Sequence, residues 1–278
     1  MPGVAMATPS ESSFLRRFAP RIGLMIVALL ALAWMQRPDG RLHVFLPALR
    51  GDAVLVQTPA GRHLLIDGGA DPDALVTALG RHLPFWQREL ALVIVTSADG
   101  QRLPGQVAAL ERYRTQQALA PPVTNSNALF DAWRQRLAHN ATPVRMLRAG
   151  QRLEIDGVTL HVLDCTSQGA LLHLDYGATS VVFAHSATPD MIERLATRRA
   201  SLLVYPWQRD PQAPLVESLR PAAIVYSDGY QTRHAPQQTY YERAIGGARL
   251  YHERVDGDIE WVSDGRRARV TTSAQVGR

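Results

Sequence analysis

Two apolar strands, each running into a polar loop closed by glycine, constrain this chain most. Residues 63–69 read HLLIDGG, an apolar run stopped by an aspartate and two glycines. Residues 90–95 read LALVIV and pass directly into TSADGQRLPG at 96–105. One helix's worth of chain separates them. This grammar puts polar side chains on loops at strand ends.

The rest of the chain extends the pattern. Short β-type runs are expected at 43–46, 53–57 and 63–67, divided by the turn residues Arg50-Gly51-Asp52 and Pro59-Ala60-Gly61. Leu75, Leu79 and Leu83 fall at helical spacing, which predicts a helix over 71–83 capped by Asp73. Further helices are expected at 105–118 and 128–139, with a loop at 121–127. The second half repeats the alternation. Strands are expected at 151–155, 158–164, 170–176, 180–184, 202–205, 222–226 and 249–253. Helices are expected at 189–198, 213–219 and 237–245. A terminal hairpin, 259–263 with 268–272, closes around Asp264-Gly265. Two strand sets alternating with helices predict an α/β fold, a four-layer αββα sandwich with helices outside two facing mixed sheets. It would occupy residues 40–274 as one domain, which suits a chain of 278 residues.

The amino terminus reads differently. Residues 1–15 are small and polar and are expected to be disordered. Arg16, Arg17 and Arg21 precede an uncharged run at 22–36, IGLMIVALLALAWMQ, closed by Arg37. Flanking Phe18 and Trp34 lengthen a run short of the roughly 20 residues of a full span. The expectation is a single-pass membrane anchor over 16–37, in a bacterial inner membrane with the domain outside the cytoplasm. A signal peptide cleaved near Ala31-Leu32-Ala33 and a buried helix of the domain remain open alternatives.

All thirty basic residues are arginine, and the formal charge is +5. Arginine grips phosphate bidentately, so single-stranded nucleic acid or anionic lipid is an admissible partner. A GC-rich coding bias explains the same composition. The single cysteine, Cys165, excludes an internal disulfide and a cysteine-based zinc cluster.

The loop chemistry and element order resemble the metallo-β-lactamase superfamily, and most closely the C-terminal domain of ComEC-type competence proteins, which move DNA across the membrane. The matching residues are WMQRPDGRL at 34–42, LPALRGDA at 46–53 and VLVQTPAGRHLLIDGG at 54–69. The resemblance spans about 34–272 and is strongest over 38–105. It implies a divalent metal, zinc or manganese, that activates a water and polarises a phosphoryl oxygen. It also implies a DNA-uptake channel protein as a partner.

The ligand positions that the resemblance implies have changed chemistry. The second loop in that family reads Thr-His-x-His/Asp-x-Asp-His-x-Gly-Gly. Here the ligand positions hold Ser97, Asp99, Gln101 and Arg102, and Arg102 would repel a cation. Ser186 stands where a later aspartate is expected. Trp207 and Gln208 replace a His-His pair, and His234 matches a final histidine. Asp67 is read as structural, accepting bonds from loop amides. No two of the nine histidines lie within five residues of each other. The expectation is therefore a catalytically degenerate member with no metal and no catalytic residue, in a binding or scaffolding role. A rearranged metal site from His185, His234, Asp99 and Asp67 is one alternative. An anion reader built from Arg102, Arg209 and Arg233 is another. Walker A and Gly-x-Ser-x-Gly motifs are absent, and Cys165 reads as a buried small apolar residue.

Overall fold

The computed structural model describes residues 21–27, 38–123, 127–194, 199–206, 214–227 and 243–276. The chain divides into two units, 1–38 and 39–278. Of the first, a helical stretch at 21–27 and Pro38 are described. Most of the expected 16–37 anchor therefore lies outside the described residues. Among those described, no helix is long and apolar enough to cross a membrane.

The second unit is built on period-two burial. In β3 (His63–Asp67), Leu64 and Ile66 enter one apolar cluster while Leu65 enters another. In β12 (Thr179–Phe183), Val181 and Phe183 join the first of these clusters and Val182 joins a third. A strand with apolar residues on both faces is stable only when covered on both faces. The molecule meets that condition with four layers. The first sheet includes β1 (Leu42–Leu46), β2 (Ala53–Gln57), β3, β5 (Leu92–Ile94), β7 (Ala118–Ala120) and β8 (Val144–Met146), in that spatial order. β4 (Glu89–Leu90) and β6 (Arg114–Thr115) pair separately beside it. The second sheet runs β15-β16-β14-β13-β12-β11-β10-β9. Its strands are β9 (Arg152–Ile155), β10 (Val158–Thr166), β11 (Gly169–Tyr176), β12, β13 (Leu202–Pro206), β14 (Ala223–Ser227), β15 (Ala244–Ile245) and β16 (Ala248–His252). The terminal hairpin, β17 (Ile259–Ser263) and β18 (Ala268–Thr272), crosses back to the first sheet, where β17 pairs with β1.

The central core lies between the sheets, with Leu42, Val44, Ile66 and Ile94 on one side facing Leu172, Phe183, Val204 and Val225 on the other. Helices α1 (Pro72–His82), α2 (Pro104–Arg112) and α3 (Ala128–His139) cover the first sheet through Leu75, Leu79, Leu110 and Trp133. Helices α4 (Pro189–Glu193) and α5 (Pro214–Leu219) contribute Met191, Ile192 and Leu219 to the outer face of the second. Gln106 pins α2 inward. Its amide donates to the Ile94 carbonyl at 2.7 Å, and its oxygen accepts from Trp133 Nε1 at 3.0 Å.

Several local expectations are corrected. The cap of α1 is Asp71, not Asp73, because Pro72 takes the first helical position and the Asp71 carboxylate accepts from the amides of Asp73 and Ala74. The helix expected to reach residue 118 ends at Arg112, because the chain turns to place β7 in parallel pairing with β5. β8 was not expected. Its short run carries no periodicity of its own and exists through pairing with β7. Residues 244–245, expected as helix, form β15 and turn tightly into β16 through Gly246 and Gly247, both at positive φ. That glycine pair selects a hairpin. Residues 195–198 and 237–242 of two expected helices lie outside the described residues.

Candidate functional site

β3, β5 and β12 all point their carboxyl ends at one edge of the sandwich, where three loops meet. Backbone bonds lace them together. Asp52 N–H donates to the Gln101 carbonyl at 3.0 Å, Gly69 N–H to the Asp52 carbonyl at 2.8 Å, and Gly68 N–H to the Arg102 carbonyl at 2.6 Å. Asp67 ends β3 at φ 56, a conformation that aspartate tolerates better than most side chains. The turn leaves the Asp67 carboxylate fully buried.

That carboxylate accepts three hydrogen bonds. It accepts from Thr96 N–H at 2.8 Å, from the Thr96 hydroxyl, and from His185 Nε2 at 2.7 Å. Burial pushes the Asp67 carboxyl above the usual carboxylate range, against the pull of His185, Arg102 and Thr96. The His185 Nδ1 is buried without a hydrogen-bond partner among the described residues. His185 is only 1% exposed, so that nitrogen has no route to a substrate in solution.

Arg102 occupies the centre of the loop cluster. It is 5% exposed. Nη1 donates to Asp99 Oδ2 at 2.6 Å, and Nη2 to the His185 carbonyl at 3.0 Å. Nη2 also lies 2.7 Å from Asp52 Oδ2, a contact short in distance but not aligned as a hydrogen bond, so its contribution is Coulombic. Desolvation opposes the buried charge, but the carboxylates of Asp52, Asp99 and Asp67 outweigh it and raise the guanidinium pKa. Asp99 is partly exposed and also accepts from Gln101 N–H at 2.8 Å.

The structure thus brings Asp67, Asp99, Gln101 and Arg102 together, with Ser97 buried beside them. Ser186 does other work. Its hydroxyl donates to the Ala170 carbonyl at 2.9 Å and accepts the Ala170 amide at 3.2 Å, fastening β11 to the loop after β12. Trp207, Gln208 and His234 lie outside the described residues, as do Arg209 and Arg233. Asp52 and Thr96 are the site residues that sequence reasoning left out of the pocket, and His185, considered as a ligand of a rearranged metal site, is instead the partner of Asp67. Asp52 was read as a turn residue, although a lone acid directly before the apolar run 53–56 was its available signal. Cys165 is half-buried rather than buried, and burial raises its thiol to about 11, far from a nucleophile's range.

A divalent metal needs several lone pairs converging on one point. Among the described residues, no group of three or more His, Cys, Asp or Glu is placed to hold one. Arg102 lies between the carboxylates of Asp52 and Asp99, and the Nε2 of His185 is spent on Asp67. These residues do not fit a metal ion. An open depression at the same edge, lined by Leu49, Arg50, Asp71, Ala74, Glu253 and Arg254, includes none of Asp67, Arg102 and His185.

Two buried imidazoles make stability depend on pH. Burial lowers His63 to about 4, with His82 adding to the effect, and lowers His252 to about 4. His252 Nδ1 accepts the Arg254 amide at 3.0 Å, a bond that requires the neutral ring. Both folded values lie below the ordinary 6.5, so the unfolded chain binds these protons more tightly. Stability is therefore full above pH about 6.5 and falls as pH drops toward 4, by on the order of 3 kcal/mol per histidine. Urea midpoints from pH 7.5 to 4 measure this, and His63→Leu is expected to remove its share of the slope. A flat profile would contradict the assignment. Asp67, pushed the opposite way, offsets part of the loss.

Two facing mixed sheets, helices outside, and a polar loop cluster at the carboxyl ends of the strands make up the metallo-β-lactamase fold. Among solved structures, the metallo-β-lactamase fold protein YhfI from Bacillus subtilis is similar at a TM-score of 0.57 and 11% identity, covering 80% of this chain and 100% of that one. Zn2+-bound PqqB from Methylobacterium extorquens is similar at a TM-score of 0.51 and 14% identity, covering 73% of this chain and 84% of that one. No protein-family model and no curated protein sequence matches the chain.

Proposed function

We propose that this protein is a catalytically degenerate metallo-β-lactamase-fold protein, anchored in the bacterial inner membrane with its domain outside the cytoplasm. It serves a binding or scaffolding role related to that of ComEC-type DNA-uptake proteins, beside a channel subunit. The observation that carries the loss of hydrolysis is Arg102, a permanent cation held between Asp52 and Asp99 where the loops converge. A fixed guanidinium neutralises the carboxylates as a metal would, but it has no open coordination position and cannot generate a nucleophilic water. The anchor reading rests on the apolar run at 22–36 and its flanking arginines. The DNA-uptake reading rests on the motifs at 34–69. A direct anion-reading role for Arg102 is disfavoured, because its charge is already committed to carboxylates.

The test is metal content. The full chain, purified in detergent and dialysed against zinc and then manganese, is expected to retain less than about a tenth of an equivalent by elemental mass spectrometry. One equivalent or more that survives dialysis would sink the degenerate reading and shift attention to a rearranged site.

A further inference from the structure

The edge of the sandwich opposite Asp67 carries a separate set of features. β1 runs parallel to β3 through the antiparallel β2, so Leu42 and the chain leading into it lie at that opposite end. The loop before β4 and β5 is there too, and its tip exposes Phe85 at 71% and Trp86 at 45%. Their rings meet edge-on at 4.7 Å, leaving both side chains in water. Exposed arginines surround this end. Arg88 and Arg114 flank the aromatic loop, Arg199 and Arg220 precede β13 and β14, and Arg266 and Arg267 tip the terminal hairpin. Among the acids there, Asp156 pairs with Arg62, Asp264 accepts from the amides of Arg266 and Arg267, and exposed Glu89 lies beside Arg88. The Asp67 end has a mixed charge, with Asp71, Asp73, Asp190 and Glu193 exposed after β3 and β12 alongside the exposed Arg50, Arg194 and Arg254.

We propose that the end bearing Phe85 and Trp86 is a docking face for an anionic lipid bilayer. Aromatic rings favour the headgroup boundary, and arginines near it gain from anionic lipid. The Asp67 edge is at the opposite end and so opens away from the bilayer. Chain order agrees, because the residues leading into β1 lie at this same end as Phe85 and Trp86. The proposal rests on the membrane-anchor reading, and the two are separable by experiment.

The full chain with Cys165→Ala receives a nitroxide at Trp86→Cys, or at Ser167→Cys in the exposed turn between β10 and β11 at the Asp67 end. Each is reconstituted in vesicles of phosphatidylglycerol and phosphatidylcholine. Collision with oxygen, which partitions into lipid, is compared with collision with a water-soluble nickel chelate. The label at 86 is expected to favour oxygen and the label at 167 the chelate. Adding Arg266→Ser and Arg267→Ser is expected to lower the ratio of lipid-docked to water-exposed label at 86 by about 30-fold, roughly fivefold per arginine. If protein floats with vesicles but label 86 meets the chelate as freely as label 167, docking is wrong and the anchor stands. If label 86 is shielded only after a single-stranded oligonucleotide is added, the face reads nucleic acid and the lipid proposal is overturned. If the protein does not float with vesicles, the anchor reading fails and takes the proposal with it.

Discussion

Replacing Arg102 with alanine is expected to destabilise the domain by about 3–5 kcal/mol, because it strands a buried charge. Asp52 is 2% exposed, and its carboxylate oxygens make no hydrogen bond among the described residues, so Arg102 is its compensation. Arg102→Lys is expected to recover only part of the stability. A compact ammonium cannot span Asp52, Asp99 and the His185 carbonyl as the planar guanidinium does. Arg102→Met with Asp52→Asn removes both charges and is expected to restore most of the loss, as replacing a whole buried pair is often close to neutral. Urea denaturation with a shared m-value reads all four proteins. A loss below about 1 kcal/mol for Arg102→Ala would mean that the guanidinium is solvated and holds no cluster together.

Gly105→Ala is expected to be severely damaging for the addition of a single methyl group. A Cβ at Gly105 would sit 1.8 Å from the Gly68 carbonyl oxygen and 2.9 Å from Leu75 Cδ2. The reciprocal contact, from Gly68 to the Gln106 amide nitrogen, is 2.2 Å. These obstacles are mainly backbone, so no rotamer relieves them. The Asp-Gly-Gly turn must separate from the start of α2, breaking the Gly68–Arg102 and Gly105–Gly69 backbone bonds and exposing the Asp67 cluster. The expected cost is about 3 kcal/mol or more, the upper range for overpacking. Gly100→Ala in the same loop meets nothing within 4 Å and is expected to stay within about 0.5 kcal/mol of the parent. Thermal and urea unfolding of both variants measure the contrast. Equal, small effects would show that the two loops are not in van der Waals register.

Much of the scaffold was legible because its determinants are local. β2 and β3 match the expected 53–57 and 63–67, and α3 matches 128–139, because apolar period and capping are written within a few residues. The end of α2 and the existence of β8 were not legible, since both depend on strands recruited from elsewhere. Return of the terminal hairpin to β1, some 215 residues earlier in the chain, is a choice between two sheets that no local pattern encodes.

The site divides the same way. The sequence by itself determined which side chains were available: an aspartate at the end of β3, and an arginine where the resemblance calls for a histidine. The Asp99–Arg102 pair, three residues apart, was within reach of that reading. Only the tertiary structure decided that Asp67 meets His185 across 118 residues, and that Asp52 lies against Arg102. Loop convergence sets those contacts, and it follows from how two sheets stack. The guanidinium charge persists there because burial is offset by the carboxylates around it, a balance that exists only once the loops have met.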